Sequence, residues 1–116
     1  MSTKEIIERY FEELTRNGSW QSLLSDDLEF TSFTSPVKHV TGKAAYLEST
    51  RRFFSMIKSL EVRDLIIEGT KACALTRYEL QAPAASFHSD VAELFTVTDG
   101  RISSLAIYFD SAPFPK

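Results

Sequence analysis

Cysteine is nearly missing: Cys73 is the one thiol in 116 residues. A lone cysteine closes no intrachain disulfide, so the hydrophobic core has to hold the fold. Histidine is scarce as well. His39 and His88 stand far apart and show no ligand spacing with the cysteine, so no metal site is expected. A basic excess is also lacking. Thirteen Lys and Arg face sixteen Asp and Glu, the net charge is −3, and no Lys/Arg cluster offers a footprint for nucleic acid. No apolar run is long enough to span a bilayer, and charges interrupt the opening MSTKEIIERYF before the apolar stretch of a secretory leader could form. A cytoplasmic protein without a membrane partner is expected. A phosphate loop, a dinucleotide fingerprint and a nucleophile elbow are all wanting, so no cofactor is expected.

What is present suits one globular domain over residues 1–116. The chain is 43% hydrophobic and 25% charged, and it is long enough to bury a core without staples. The first element is a helix over residues 3–16, with Ile6, Ile7, Tyr10, Phe11 and Leu14 recurring on one face. Asn17-Gly18 ends it, and Ser19 caps a short second helix carrying Trp20, Leu23 and Leu24. Leu28, Phe30 and Ser32 alternate as a first strand, followed by an irregular excursion around Pro36. Thr41-Gly42 opens a helix over residues 42–58. Its buried side is Tyr46, Leu47, Thr50, Phe53, Phe54 and Ile57.

The remainder reads as sheet. Two strands flank a turn at Glu68-Gly69-Thr70-Lys71, and two more flank Asp99-Gly100, a strong hairpin signal. Helices first and antiparallel strands after predict an α+β fold with the helices packed on one face of a curved sheet. In DVAELFTV, Glu93 shares the parity of Val91, Phe95 and Val97. That parity places a carboxyl group in line with three apolar side chains.

The order of elements and four short motifs carry a resemblance. IIERYFEEL, SWQSLLSDDLEF, VTGKAAYLEST and, most specifically, VAELFTVTDGRISSLAIYFD occur in sequence. With them the chain resembles the SnoaL-like branch of the nuclear-transport-factor-2-like superfold, whose best-studied enzymes are the ketosteroid isomerases. The resemblance covers nearly the whole chain. It implies a cystatin-like cone: a strongly curved antiparallel sheet wrapped around the N-terminal helices, with an apolar pocket between. It also implies a homodimer through the outer sheet face. Because the superfold carries isomerases, hydratases, epoxide hydrolases, cyclases and non-catalytic members, the fold leaves the function open.

Ketosteroid isomerases use an Asp base with an oxyanion hole of a Tyr and a protonated Asp. By the resemblance the tyrosine falls on Tyr10 in ERYF and the protonated acid on Glu93. These two are the candidate catalytic residues. Each has a structural alternative: Tyr10 as a core aromatic, Glu93 as a solvated or Arg77-paired acid on the outer face. The position of the base falls on Ser32, and a serine without an activating partner does not take a proton from carbon. His39, shortly after, is a loop histidine available as a substitute or simply exposed.

Two other chemistries of the superfold fit less well. The Arg-x-Asp of limonene-type epoxide hydrolases is matched by Arg77-Tyr78-Glu79, but their second Asp falls on Ile107. The isomerase frame turns Thr76 and Tyr78 into the pocket, whereas the hydrolase frame turns Arg77 and Glu79 in, and the alternation leaves both open. SnoaL-type cyclases rely on a His and an Asp. His88 and Asp90 lie on the parity opposite Glu93, so they enter the pocket only if Glu93 does not. Asp110 is read as tying down the tail. Phe30, Ser32, Phe54, Tyr78, Leu105, Ile107 and Phe109 are the expected pocket lining, with Trp20 assigned to the core. The expectation is a pocket for a hydrophobic, oxygen-bearing small molecule, of steroid-like or polyketide-like character. Isomerase- or cyclase-type polarisation of a carbonyl or enol by Tyr10 and Glu93 is the first reading. A non-catalytic binding or dimerisation module is the alternative.

Overall fold

Ser2 begins the first helix of the computed structural model, which describes residues 1–114. Its hydroxyl accepts the Glu5 backbone N–H at 3.2 Å, and the Glu5 carboxylate accepts the Ser2 N–H at 3.0 Å. This reciprocal capping box satisfies two N–H groups that a helix start otherwise leaves unpaired. Helix α1 runs Thr3–Thr15 and buries Ile6, Ile7, Tyr10, Phe11 and Leu14, as its periodicity requires. Asn17, at φ 54°, takes the left-handed position after the helix. Gly18 N–H then reaches back to the Glu13 carbonyl and Asn17 N–H to that of Leu14, a Schellman closure. The second helix reduces to a 3-10 turn, Trp20–Leu23, and Ser19 makes no side-chain cap there. Leu24 belongs to the strand that follows.

Six strands form one sheet in the order β2-β1-β6-β5-β4-β3. They are β1 (Leu24–Ser32), β2 (Lys38–Thr41), β3 (Ile57–Glu68), β4 (Lys71–Gln81), β5 (Ser86–Thr98) and β6 (Arg101–Phe109). The second long helix, α2 (Lys43–Met56), lies between β2 and β3. Two expectations are corrected. The excursion after Ser32 contains a strand, β2, which folds back antiparallel on β1. The sheet is mixed rather than wholly antiparallel, because β1 and β6 pair in parallel. Each helix lies on the concave face: α1 packs over β3 and β4, and α2 over β1 and β2. No helix among the described residues is long and apolar enough to cross a membrane.

Curvature comes from breaks in the ladder. Register shifts fall at Ile57/Ser59 and Val62/Asp64 in β3, at Thr96/Val97 in β5, and between Leu24 and Glu29 in β1. Each bulge sharpens the local twist, so the sheet curls around the helices instead of lying flat. Asp99 and Gly100, with φ of 51° and 79°, make a tight turn with both central residues left-handed. Such a turn matches the twist of the strands and sets the β5–β6 register. That register matters for the site, because it fixes which β5 residues point inward.

Candidate functional site

Alternation along β5 places Ser89, Val91, Glu93, Phe95 and Val97 on the concave face and His88, Asp90 and Leu94 on the convex one. Glu93 is only 4% exposed. Opposite it on β4 stands Ala74, whose small side chain leaves room beside the carboxyl group. The next inward residues of β4, Thr76 and Tyr78, turn to Glu93. Thr76 Oγ1 donates to Glu93 Oε2 at 2.7 Å and Tyr78 OH donates to the same oxygen at 2.9 Å. The open frame of β4 is thereby resolved: Thr76 and Tyr78 face inward, and Arg77 and Glu79 face outward. Glu79 accepts a hydrogen bond from Ser59 and lies 3.8 Å from the Lys58 ammonium. With Ile107 inside and Arg77 and Glu79 outside, the hydrolase-type set does not assemble in the cavity. His88 and Asp90 are exposed on the outer face, so they make no acid–base pair inside it.

Removal from water dominates the ionisation of Glu93. Burial raises its pKa from 4.5 to about 7, against the Thr76 and Tyr78 hydrogen bonds, which favour the anion and recover only part. At neutral pH the group is balanced between acid and anion. In the acid form, Oε2 already receives two donors, so the proton belongs on Oε1, which receives none from the described residues.

Around Glu93 lies a cavity of about 210 Å³. Its wall includes Phe30, Ser32, Phe54, Tyr78, Leu105, Ile107 and Phe109, together with Lys38, Tyr46, Phe53 and Phe114. The wall is mainly apolar, and Ser49, Thr50 and Ser89 contribute the remaining hydroxyls. Those three are already engaged: Ser49 and Thr50 donate to the Tyr46 carbonyl, and Ser89 to that of Asp110. At the mouth, Phe114 folds back onto Phe87 and Phe109 with ring centroids at 5.0 and 5.3 Å. Asp110 holds the start of this tail by accepting the Ala112 N–H at 3.1 Å.

Tyr10 sits one layer behind. It is 1% exposed and packs edge-on against Phe11, Trp20 and Phe95. It does not line the cavity, whereas the nearby Tyr46 does. Burial, first of all, pushes the phenols of Tyr10, Tyr46 and Tyr78 above their ordinary pKa, and nearby Glu93 pushes further. All three therefore stay protonated and act only as hydrogen-bond donors or acceptors. Trp20 stacks on Phe54 at 4.6 Å and belongs to the core. It borders a separate depression of about 730 Å³ between the 3-10 turn, α2 and β3. That depression contains no buried titratable group.

Tyr46 and Lys38 are absent from the residues that the sequence points to. Tyr46 carries a signal all the same: a phenol on an otherwise apolar helix face needs a polar partner once buried. Lys38 has none, because its inward approach depends on β2, which the pattern around Pro36 hides. His39 lies on the outer side of the same hairpin. Its Nε2 is 2.8 Å from Glu29 Oε2 and its Nδ1 2.8 Å from Thr31 Oγ1, so it does not serve the cavity.

No curated protein matches the chain in sequence. Solved structures match its fold. An NTF2-like protein from Burkholderia thailandensis E264 superposes with a TM-score of 0.81 at 15% identity, covering 96% of this chain and 92% of its own. A candidate ketosteroid isomerase from Kribbella flavida DSM 17836 gives 0.77 at 22%, covering 98% and 82%. An LEH-like epoxide hydrolase from M. tuberculosis gives 0.77 at 18%, covering 96% and 84%. At these identities the likeness is one of architecture, shared by proteins of different chemistries. The sequence pattern of the SnoaL-like domain matches residues 7–105, from α1 to the last strand, and the chain belongs to the SnoaL-like domain family.

Proposed function

We propose that this SnoaL-like domain is a small-molecule enzyme of the isomerase or cyclase type, in which Glu93 polarises a carbonyl or enol oxygen of a hydrophobic substrate. The observation that carries the reading is a buried carboxyl group at the end of an apolar cavity, with one oxygen held by Thr76 and Tyr78. A neutral acid aimed at a developing oxyanion stabilises charge where it forms, and a water-poor wall strengthens that bond. Tyr10 enters from behind the two phenols of the wall, Tyr46 and Tyr78. It acts through Tyr46, whose ring lines the wall, and is therefore a positioning residue. About 210 Å³ holds roughly ten to twelve non-hydrogen atoms at interior packing density. That favours a substrate of single-ring size, or a larger one that protrudes past Phe114.

The test is binding of 2-naphthol, a neutral phenol that mimics an enol, followed by fluorescence from pH 6 to 9. Affinity should fall as the pH rises above about 7, where Glu93 loses the proton it donates. Glu93→Ala should weaken binding about tenfold or more, and Tyr10→Phe by a smaller factor. Unchanged affinity in both variants would sink the proposal.

A second reading, a non-catalytic binding module, has its own support. Ser32 stands where a base is needed. Among the described residues no second carboxyl group lines the wall beside Glu93, and a proton donor without a separate base binds an oxygen but does not by itself move a proton from carbon. The outer face supports the expected homodimer. Ile66, Cys73, Leu94 and Ala106 form one row across four strands, and Leu75, Ala92 and Tyr108 the next. Leu75 and Leu94 are 42% and 44% exposed, a continuous apolar surface of the kind that pairs with a copy of itself.

A further inference from the structure

The row of the sheet that crosses Glu93 has a second polar end. In the strand register Glu93 of β5 stands beside Ile107 of β6, Ile107 beside Ser32 of β1, and Ser32 beside Lys38 of β2. Four neighbouring strands thus set out a carboxyl, a branched alkyl, a hydroxyl and an ammonium group along one line. All four residues border the cavity. Strands lie about 4.8 Å apart, so the outer two backbones are about 14 Å apart along the curved sheet. Both end side chains border one cavity of about 210 Å³, which has room for a small substituted ring.

An account of partners distinguishes these groups from the rest of the wall. The hydroxyls of Ser49, Thr50 and Ser89 donate to backbone carbonyls, and that of Tyr78 donates to Glu93. Lys38 makes no ion pair among the described residues. Among the described residues it is the one cation on the wall, and it is exposed, at the rim, where water can follow a ligand in. The inner end, in its acid form, offers a hydrogen-bond donor, and the outer end offers a full positive charge beside the Ser32 hydroxyl.

We infer that the cavity takes a small carboxylate whose far end carries a neutral oxygen. The carboxylate sits on Lys38 and Ser32, the carbonyl, enol or phenol oxygen meets Glu93, and the apolar body lies along Ile107 and Phe30. This rests on the proposed reading of the cavity as a ligand site and adds the charge and length of the ligand. An ammonium at a rim gives a charge-assisted bond that salt screens, so its contribution is a factor of several rather than of thousands.

The experiment compares 4-hydroxybenzoate with its methyl ester by titration calorimetry at low salt, on the wild type, Lys38→Gln and Ser32→Ala. Lys38 is exposed, so its replacement leaves the core untouched. The acid should bind at least fivefold more tightly than the ester to the wild type. Lys38→Gln should erase that preference while leaving the ester unchanged, Ser32→Ala should reduce it, and 0.5 M salt should shrink it. Equal affinity for acid and ester, or a preference that survives Lys38→Gln, overturns the anion subsite. Failure of the acid to bind to a protein that binds 2-naphthol overturns it too, and leaves the cavity reading standing. Failure of all three compounds removes both.

Discussion

Replacing Glu93 by Gln should make the protein more stable at neutral pH and change little in acid. The folded chain keeps a proton on Glu93 up to about pH 7, whereas an unfolded carboxyl releases it near 4.5. Between those values the native state binds more protons than the unfolded one, so stability falls as the pH rises through the window and is level above it. At about 1.4 kcal/mol per tenfold change in proton affinity, the full descent is about 3 kcal/mol. A glutamine has no proton to lose and keeps an oxygen for the Thr76 and Tyr78 donors. The variant should therefore match the wild type near pH 4.5 and exceed it by up to about 3 kcal/mol at pH 8, on the order of 10 °C in Tm for a domain of this size. Far-UV circular dichroism melts of both proteins at half-unit steps from pH 4.5 to 8.5 measure this. The other ionisable groups are common to both proteins and cancel in the difference. A Tm difference that stays constant across the range would refute the argument, since it would mean that Glu93 titrates alike in the folded and unfolded chain.

Two further outcomes follow from the same structure. Tyr78→Phe deletes the 2.9 Å donor to Glu93 Oε2, which favours the anion; the Glu93 midpoint, followed by carbon-13 NMR of labelled glutamate carboxyls, should move upward, and a midpoint that stays or falls would show that this bond does not act on the carboxyl. Leu94→Lys places a charge in the middle of the apolar outer row; sedimentation should show the proposed dimer dissociating, while a wild type that is monomeric at every concentration would remove the dimer from the reading.

How much of this was legible in the sequence depended on the range of the signal. The face of α1 could be read because Ile6, Ile7, Tyr10, Phe11 and Leu14 repeat locally. The shared parity of Glu93 with Val91, Phe95 and Val97 could be read on one strand that Asp99-Gly100 ends cleanly, but parity alone left open whether that side faced the core or the outer face. On β4 apolar residues occur on both parities, Cys73 and Leu75 on one and Ala74 and Leu80 on the other, so alternation was silent. Only the pairing with β5 decided for Thr76 and Tyr78. The parallel β1–β6 seam was invisible for a different reason. Strands so far apart in the chain meet through the tertiary fold, and nothing local records the direction in which they meet. Tyr46 shows the same limit. Its burial followed from helical spacing, but its place on the cavity wall required knowing where α2 crosses β1 and β2.

A serine at position 32, rather than an acid, bears on the charge at the cavity mouth. A carboxylate at that point of the row would have Lys38 as its neighbour on β2, and the pair would neutralise each other at the mouth. With serine there, Lys38 meets no carboxylate among the described residues, and it gives the mouth a positive charge. The inner end changes in sympathy. An anion brought in on Lys38 adds negative potential over the cavity and so favours the protonated form of Glu93, which in turn is the form that donates a hydrogen bond. The two ends of the row thus support each other when the ligand is a carboxylate with a neutral oxygen. They oppose each other when it is a cation, which Lys38 repels and which favours ionised Glu93. The identity of residue 32 in β1 therefore bears on both the charge of the preferred ligand and the protonation state in which Glu93 receives it.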